Sequence, residues 1–143
     1  MGTRCIIRVC ADGKEYRIYR QHDGYPKGVL ADIWVLRGWL RDPEYFLANF
    51  IFYAKLTSWL TWKSENPPYK PWEYGYGVCS KDCKHTDLEY EYIIRLGEEV
   101  DVEIRRYDWD REEWSTIFKG TLTEAVEVFN AKTPCHIDPS LIS

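Results

Sequence analysis

Tyr-Arg-Gln-His-Asp-Gly-Tyr-Pro-Lys-Gly, residues 19–28, is the densest run of chemistry-capable side chains in this 143-residue chain. His22 has the type of a general base, Asp23 of its orienter, and Tyr25 stands beside them as a further catalytic candidate. Arg4 and Gln21 fall at the open end of a predicted hairpin, where a guanidinium and an amide could clamp an anion. Arg8 and Arg17 are predicted to lie directly across one strand ladder, and two arginines so placed repel unless an anion or a carboxylate sits between them. They are therefore binding candidates too, with glutamates from a neighbouring strand as the plainer explanation. No nucleophile motif, phosphate-cradling glycine loop or paired metal carboxylates accompany these residues. Asp23, Gly24 and Pro26 also suit a turn, so the same stretch reads either as an active site or as a strand-to-helix corner.

A second group is Cys79, Cys83 and His85 in "CSKDCKH", with Cys135 and His136 fifty residues on. Three soft ligands within seven residues could open a zinc site, completed by Cys135 or His136. The spacing is not diagnostic, and a free-thiol loop or a disulfide that clips the loop is the plainer reading. No cofactor is required by the sequence, and zinc is the one it would admit.

The elements that must position these groups follow from periodicity. "RCIIRVC" and "EYRIYRQ" flank Asp12-Gly13, the dipeptide of a two-residue hairpin turn. That register pairs Val9 with Tyr16, Ile7 with Ile18, Arg8 with Arg17 and Ile6 with Tyr19. Apolar positions Val29, Ile33, Leu36 and Leu40 predict a helix from about Val29 to Arg41. Asp42, Pro43 and Glu44 then start another, with Asp42 as N-cap. Residues 45–62, "YFLANFIFYAKLTSWLTW", hold one charge, Lys55, and are apolar nearly all round. Asn49, Lys55, Thr57 and Ser58 oppose membrane insertion. A helix buried against a sheet is expected, with a homodimer through the aromatic helix 43–63 as the sharper form of that expectation.

Residues 63–77 are rich in Pro and Tyr and are expected to be a packed connector without regular structure. "DLEYEYIIRL" and "VDVEIRRYDW" pair through a Gly97–Glu99 loop, matching Leu96 with Val100, Ile94 with Val102, Tyr92 with Ile104, Arg95 with Asp101 and Glu91 with Arg105. "WSTIFKG" is a further strand with Phe118 near Ile104, and a helix follows a capping box from Thr121 to Glu124. The expectation is one α+β domain over residues 1–143, order β-β-α-α-β-β-β-α. Its mainly antiparallel sheet is built from two ribbons closing face to face over the middle helix.

Composition narrows the partners. Seven Trp, eleven Tyr and five Phe exceed what one small core hides, so some serve an interface. Residues 1–70 carry 11 Lys/Arg against 7 Asp/Glu, and residues 71–143 carry 8 against 16. At a pI near 5.4 bulk nucleic-acid binding is disfavoured. The acidic run Glu98, Glu99, Asp101, Asp108, Asp110, Glu112 and Glu113 could imitate nucleic acid, or simply solvate a hairpin edge. No signal peptide or myristoylation pattern is read at the N-terminus, so the cytoplasm is the expected location. Low Met with abundant Glu, Arg and Tyr leans toward a thermophile.

"MGTRCIIRV" followed by "YRQHDGYPKGV" resembles a family of small uncharacterised proteins of phages, archaeal viruses and prokaryotic genomes. Its members begin Met-Gly-Thr-Arg and carry Tyr-x-x-x-Asp-Gly-Tyr-Pro-x-Gly. The resemblance implies a viral or mobile-element provenance and a shared fold, without an activity. It makes Thr3, Arg4, Asp23, Gly24, Tyr25 and Pro26 the family-like positions. Two functions are compatible: a non-enzymatic factor binding a host protein or its own copy, which the aromatic surplus favours, or an enzyme acting on an anionic substrate at Arg4, His22, Asp23 and Tyr25.

Overall fold

A computed structural model describes residues 3–63, 69–80 and 87–132. The chain runs β1 (Cys5–Ala11), β2 (Lys14–Arg20), α1 (Pro26–Val35), α2 (Pro43–Trp62), β3 (Tyr76–Cys79), β4 (Tyr90–Leu96), β5 (Val100–Asp108), β6 (Glu113–Thr121) and α3 (Leu122–Val128). Short 3-10 turns occupy Arg37–Trp39 and Pro71–Glu73. The α+β class and the mainly antiparallel sheet stand, with one strand more than the expected order.

Both hairpin registers form as the side-chain patterns require. Asp12 and Gly13 adopt the positive φ angles, 50° and 76°, of a turn whose twist matches its strands. Ile7 then faces Ile18 and Arg8 faces Arg17. In the second ribbon Tyr92 faces Ile104 and Arg95 faces Asp101. β1 and β4 run parallel, with Ile7 beside Tyr92 and Val9 beside Ile94. The ribbons therefore join edge to edge rather than face to face, in the order β3-β2-β1-β4-β5-β6.

Period-two alternation sends Ile7, Val9, Ile18, Tyr92, Ile94, Val102 and Ile104 to one side of this sheet. All three helices cover that side: Val29, Leu30 and Ile33 of α1, Phe46 and Phe50 of α2, and Ala125 and Val126 of α3. A slip of one residue would turn Arg8, Arg17 and Arg95 into the core, which fixes the register.

Four expectations need correction. α1 starts three residues early, because Pro26 takes the first helical turn where its missing N–H costs nothing. It also stops at Val35, and the chain tightens into the 3-10 turn around Gly38, a poor helix former, before Pro43 forces Asp42 out of helical geometry. Asp42 occupies the N-cap of α2 and its carbonyl accepts from Phe46 N–H at 2.9 Å, but its side chain makes no capping bond. The end of the expected connector is a strand: β3 borrows its order from β2, Gly77 facing Tyr19 and Tyr76 facing Arg20. Gly75 just before it is packed so tightly that a Cβ there would lie 2.0 Å from Gln21 Oε1.

The edge strand β6 is bulged. Ile104 pairs with Phe118 while Arg105 pairs with Thr116, so Ile117 is the extra residue. β6 ends where Thr121 caps α3: Thr121 Oγ1 accepts from Glu124 N–H at 3.2 Å and Glu124 Oε1 accepts from Thr121 N–H at 2.9 Å. None of the described helices is long and apolar enough to cross a membrane. Thr121→Ala is expected to lower unfolding free energy by about 1 kcal/mol in a urea titration. An unchanged midpoint would show that α3 is held by packing alone.

Candidate functional site

Strand alternation in β2 carries Tyr16, Ile18 and then Arg20 to the core side, and Arg20 is only 2% exposed. A guanidinium so placed must be fully paired. Its Nη1 meets Asp32 Oδ2 of α1 at 2.5 Å, and its Nε donates to the His22 carbonyl at 2.7 Å. The rings of Tyr76 and Phe50 flank it at 5.5 and 5.8 Å. Burial works against the charge, and Asp32 more than restores it, so Arg20 is held firmly protonated. Tyr76 Oη shares a 2.9 Å hydrogen bond with Ser58 Oγ. Tyr53 Oη, on α2, is buried with no hydrogen-bond partner. Burial first, and Asp32 second, push its pKa upward, so it is a neutral phenol.

The corner after β2 locks onto this pair. Gly24 N–H donates to Thr3 O at 2.9 Å, and Gly24 O accepts from buried Tyr92 Oη at 2.5 Å. A Cβ on Gly24 would come within 2.7 Å of Thr3 O and 3.0 Å of Cys5 Cβ. Asp23 takes the left-handed region at φ 54°, a conformation Asp tolerates better than most residues. Tyr25 is the N-cap of α1 in extended geometry, and its ring lies against Gly28. The backbone that opens α1 is thus welded to β1 and β4 at one point.

Arg4, Gln21, His22, Asp23 and Tyr25 lie at this end of the sheet. Arg4 forms an ion pair with Asp87, and its carbonyl accepts from Glu89 N–H at 2.9 Å, tying the first ribbon to the second. Gln21 N–H donates to Gly75 O at 2.8 Å. His22 is half-buried; burial lowers its pKa from 6.5, Asp23 pulls the other way, and Arg4 and Arg20 add to the lowering. Arg8 and Arg17 sit apart, on the polar face of the sheet. Arg8 reaches Glu15 at 2.6 Å and Glu91 at 2.5 Å, and Arg17 reaches Glu15 at 2.5 Å. Burial opposes Glu15 ionisation, but hydrogen bonds from both arginines outweigh it and lower its pKa. The carboxylate required between the two arginines is supplied within the hairpin and by β4.

Cys79 is buried and disulfide-bonded, so its sulfur is not a zinc thiolate in this state. Cys83, His85, Cys135 and His136 lie outside the described residues. Among the described residues no group of three or more His, Cys, Asp or Glu is placed to hold a metal ion. Burial raises the Cys5 thiol to about 12, which makes it chemically inert. The acidic run splits between the two ends of β5: Glu98, Glu99 and Asp101 at one turn, Asp108, Asp110, Glu112 and Glu113 at the other. At the far end of β4 from the Asp23 corner, a cleft of about 450 Å³ opens between Trp34, Arg37, Glu99 and Leu122, away from every candidate residue.

No protein family, curated protein or solved structure matches this chain. The resemblance to phage and archaeal-virus proteins rests on the quoted residues alone. Arg20 and Asp32 were missed by sequence reasoning, although one signal was present. An arginine in phase with Tyr16 and Ile18, and an aspartate next to Ile33 of an apolar helix, are charges on core-facing elements, and such charges come in pairs.

His22 gives the corner a pH signature. A folded-state pKa below 6.5 means that folding favours neutral imidazole, so its contribution is complete above pH 6.5 and is lost as pH falls toward the folded value. Glu15 and Glu103, whose pKa values are lowered from 4.5, lose their contributions only below that range. Chemical denaturation between pH 7 and 5 is expected to show stability falling with acid in the native chain and a flatter profile in His22→Gln. Identical slopes would place His22 in an unperturbed, solvated site.

Proposed function

We propose that the protein is a non-enzymatic interaction factor that engages a protein partner through the outward side of α2 and the two 3-10 turns packed beside it. The observation that carries this reading is a set of six aromatic rings left uncovered there: Trp39, Tyr45, Phe52, Trp62, Tyr69 and Trp72, from 45% exposed at Trp39 to 69% at Trp72. Large rings in water cost free energy in a monomer, and Trp and Tyr are the residues that anchor interfaces. The cations beside these rings are engaged with them or with the backbone: Lys70 Nζ lies 5.5 Å from the Trp72 ring and Lys63 Nζ 5.2 Å from that of Trp59. Lys55 Nζ donates to the carbonyls of Trp72 and Tyr74, at 3.0 and 2.8 Å, and so docks the second turn onto the helix.

The alternative, an enzyme acting on an anion at Arg4, His22, Asp23 and Tyr25, draws less support. Arg4 is neutralised by Asp87, and the backbone around His22 and Gly24 is engaged in joining β1, β4 and α1. A Phe52→Ser, Trp72→Ser variant should melt within about 0.5 kcal/mol of the native chain, because both side chains are exposed. Cross-linking and sedimentation should recover a stoichiometric protein complex with the native chain and none with the variant. Complexes that survive both substitutions would move the binding site elsewhere. Turnover of a phosphate or carboxylate ester by the native chain, abolished in His22→Gln, would favour the enzyme.

A further inference from the structure

Phe46, Leu47, Phe50, Tyr53, Ala54 and Thr57 of α2 are buried. Tyr45, Ala48 and Phe52 are exposed on the opposite side, and the half-buried Leu56 and Trp59, the latter also packed against the core, continue the row at spacings of three and four, the pattern of a helix seam that expects another helix. Tyr45 and Phe52 are 65% and 67% exposed. Trp39 extends the seam, its ring 6.1 Å from that of Tyr45.

We infer that the occupant of this seam is a second copy of the chain, its α2 antiparallel to the first about a two-fold axis at Phe52. This deepens the protein-binding reading and rests on it. The seam is complementary to itself in that orientation. Residues equidistant from Phe52 face each other, so Tyr45 meets Trp59 of the second copy, small Ala48 receives its Leu56, and Phe52 meets Phe52. At the ends, Arg41, whose guanidinium is held by the Gly97 and Glu98 carbonyls at 2.7 and 3.3 Å, falls opposite Lys63 of the second copy, and Glu44 comes within about one helical turn, roughly 5 Å along the axis, of that lysine and offsets the two cations. Opposed helix dipoles add to the attraction. A parallel pair would instead set Glu44 against Glu44 and Lys63 against Lys63. The one cation within the seam's length, Lys55, is turned away to the carbonyls of Trp72 and Tyr74.

The aromatic and aliphatic area available is on the order of 600 Å² per protomer, about 1,200 Å² in total, the lower edge of specific interfaces. Association is therefore expected at micromolar rather than nanomolar concentrations. Both free edges of the sheet are poorer sites for self-pairing: β6 is broken by its bulge at Ile117 and β3 spans four residues.

Sedimentation velocity on the full chain from about 1 to 200 µM tests the inference. The expected result is a shift from the 17.0 kDa monomer to twice that mass. Phe52→Glu should weaken the dimer at least about 100-fold, with thermal unfolding unchanged when compared at concentrations where the native chain is monomeric. Register is read by thiol cross-linking, with the unsubstituted chain as background. Phe52→Cys should link to itself, and Ala48→Cys mixed with Leu56→Cys should link 48 to 56 in preference to 48 to 48. A monomer at every concentration, or dominant 48-to-48 links, overturns the inference. A monomer whose stoichiometric complex with a different protein is lost in Phe52→Glu would overturn self-association while leaving the binding face in place.

Discussion

The Arg20–Asp32 ion pair is the constraint on which the arrangement of layers depends. It sits where β2 ends, between the sheet and the helices, with Arg20 at 2% exposure and the two side chains 2.5 Å apart. Two charges taken out of water tolerate no partial separation, because either one left alone in the core would cost several kcal/mol. The pair therefore fixes α1 against the end of β2 to within hydrogen-bond tolerance. The same guanidinium holds the His22 carbonyl, and Tyr92 holds that of Gly24, so the chain between strand and helix has one path. This path accounts for Gly24, where a Cβ would meet Thr3 O at 2.7 Å, and for Pro26 at the first turn of α1.

The sheet divides the remaining charge by side. The buried part of its inner face is apolar apart from Arg20, while its outer face carries Arg8, Glu15, Arg17 and Glu91 in mutual contact, continued by Arg95, Glu103 and Thr116 across β4 to β6. These partly exposed contacts set register more than stability, since solvent screens each pair. α2 has the opposite problem. One of its apolar sides fills the core, and the other presents Tyr45 and Phe52 outward. The outward rings of α2 are the surface that the proposed protein contact would cover.

Much of this was legible in the sequence wherever a local rule and the fold agree. Asp12-Gly13 and Gly97–Glu99 set two hairpins whose opposed residues matched pair by pair, and Thr121 with Glu124 announced α3. The misses share a different cause. β3 has four residues, two of them glycine or cysteine, and exists because β2 offers it an edge. The parallel junction of β1 with β4 joins residues some eighty positions apart, and no periodicity encodes it. Of the candidate site, the residues around His22 were found and do converge, but their partners, Asp87 for Arg4 and Tyr92 for Gly24, come from the second ribbon. Arg20 was passed over because a charge at a strand end reads as solvent-facing until the strand is seen to continue into a core.

A double-mutant cycle on Arg20→Met and Asp32→Leu, read by urea unfolding, tests the central constraint most directly. Each single change should cost about 3–5 kcal/mol by stranding the other charge, and the double variant should lose less than the two together by at least about 2 kcal/mol. Strictly additive losses, or a single variant as stable as the native chain, would contradict the claim that this pair holds the helices to the sheet.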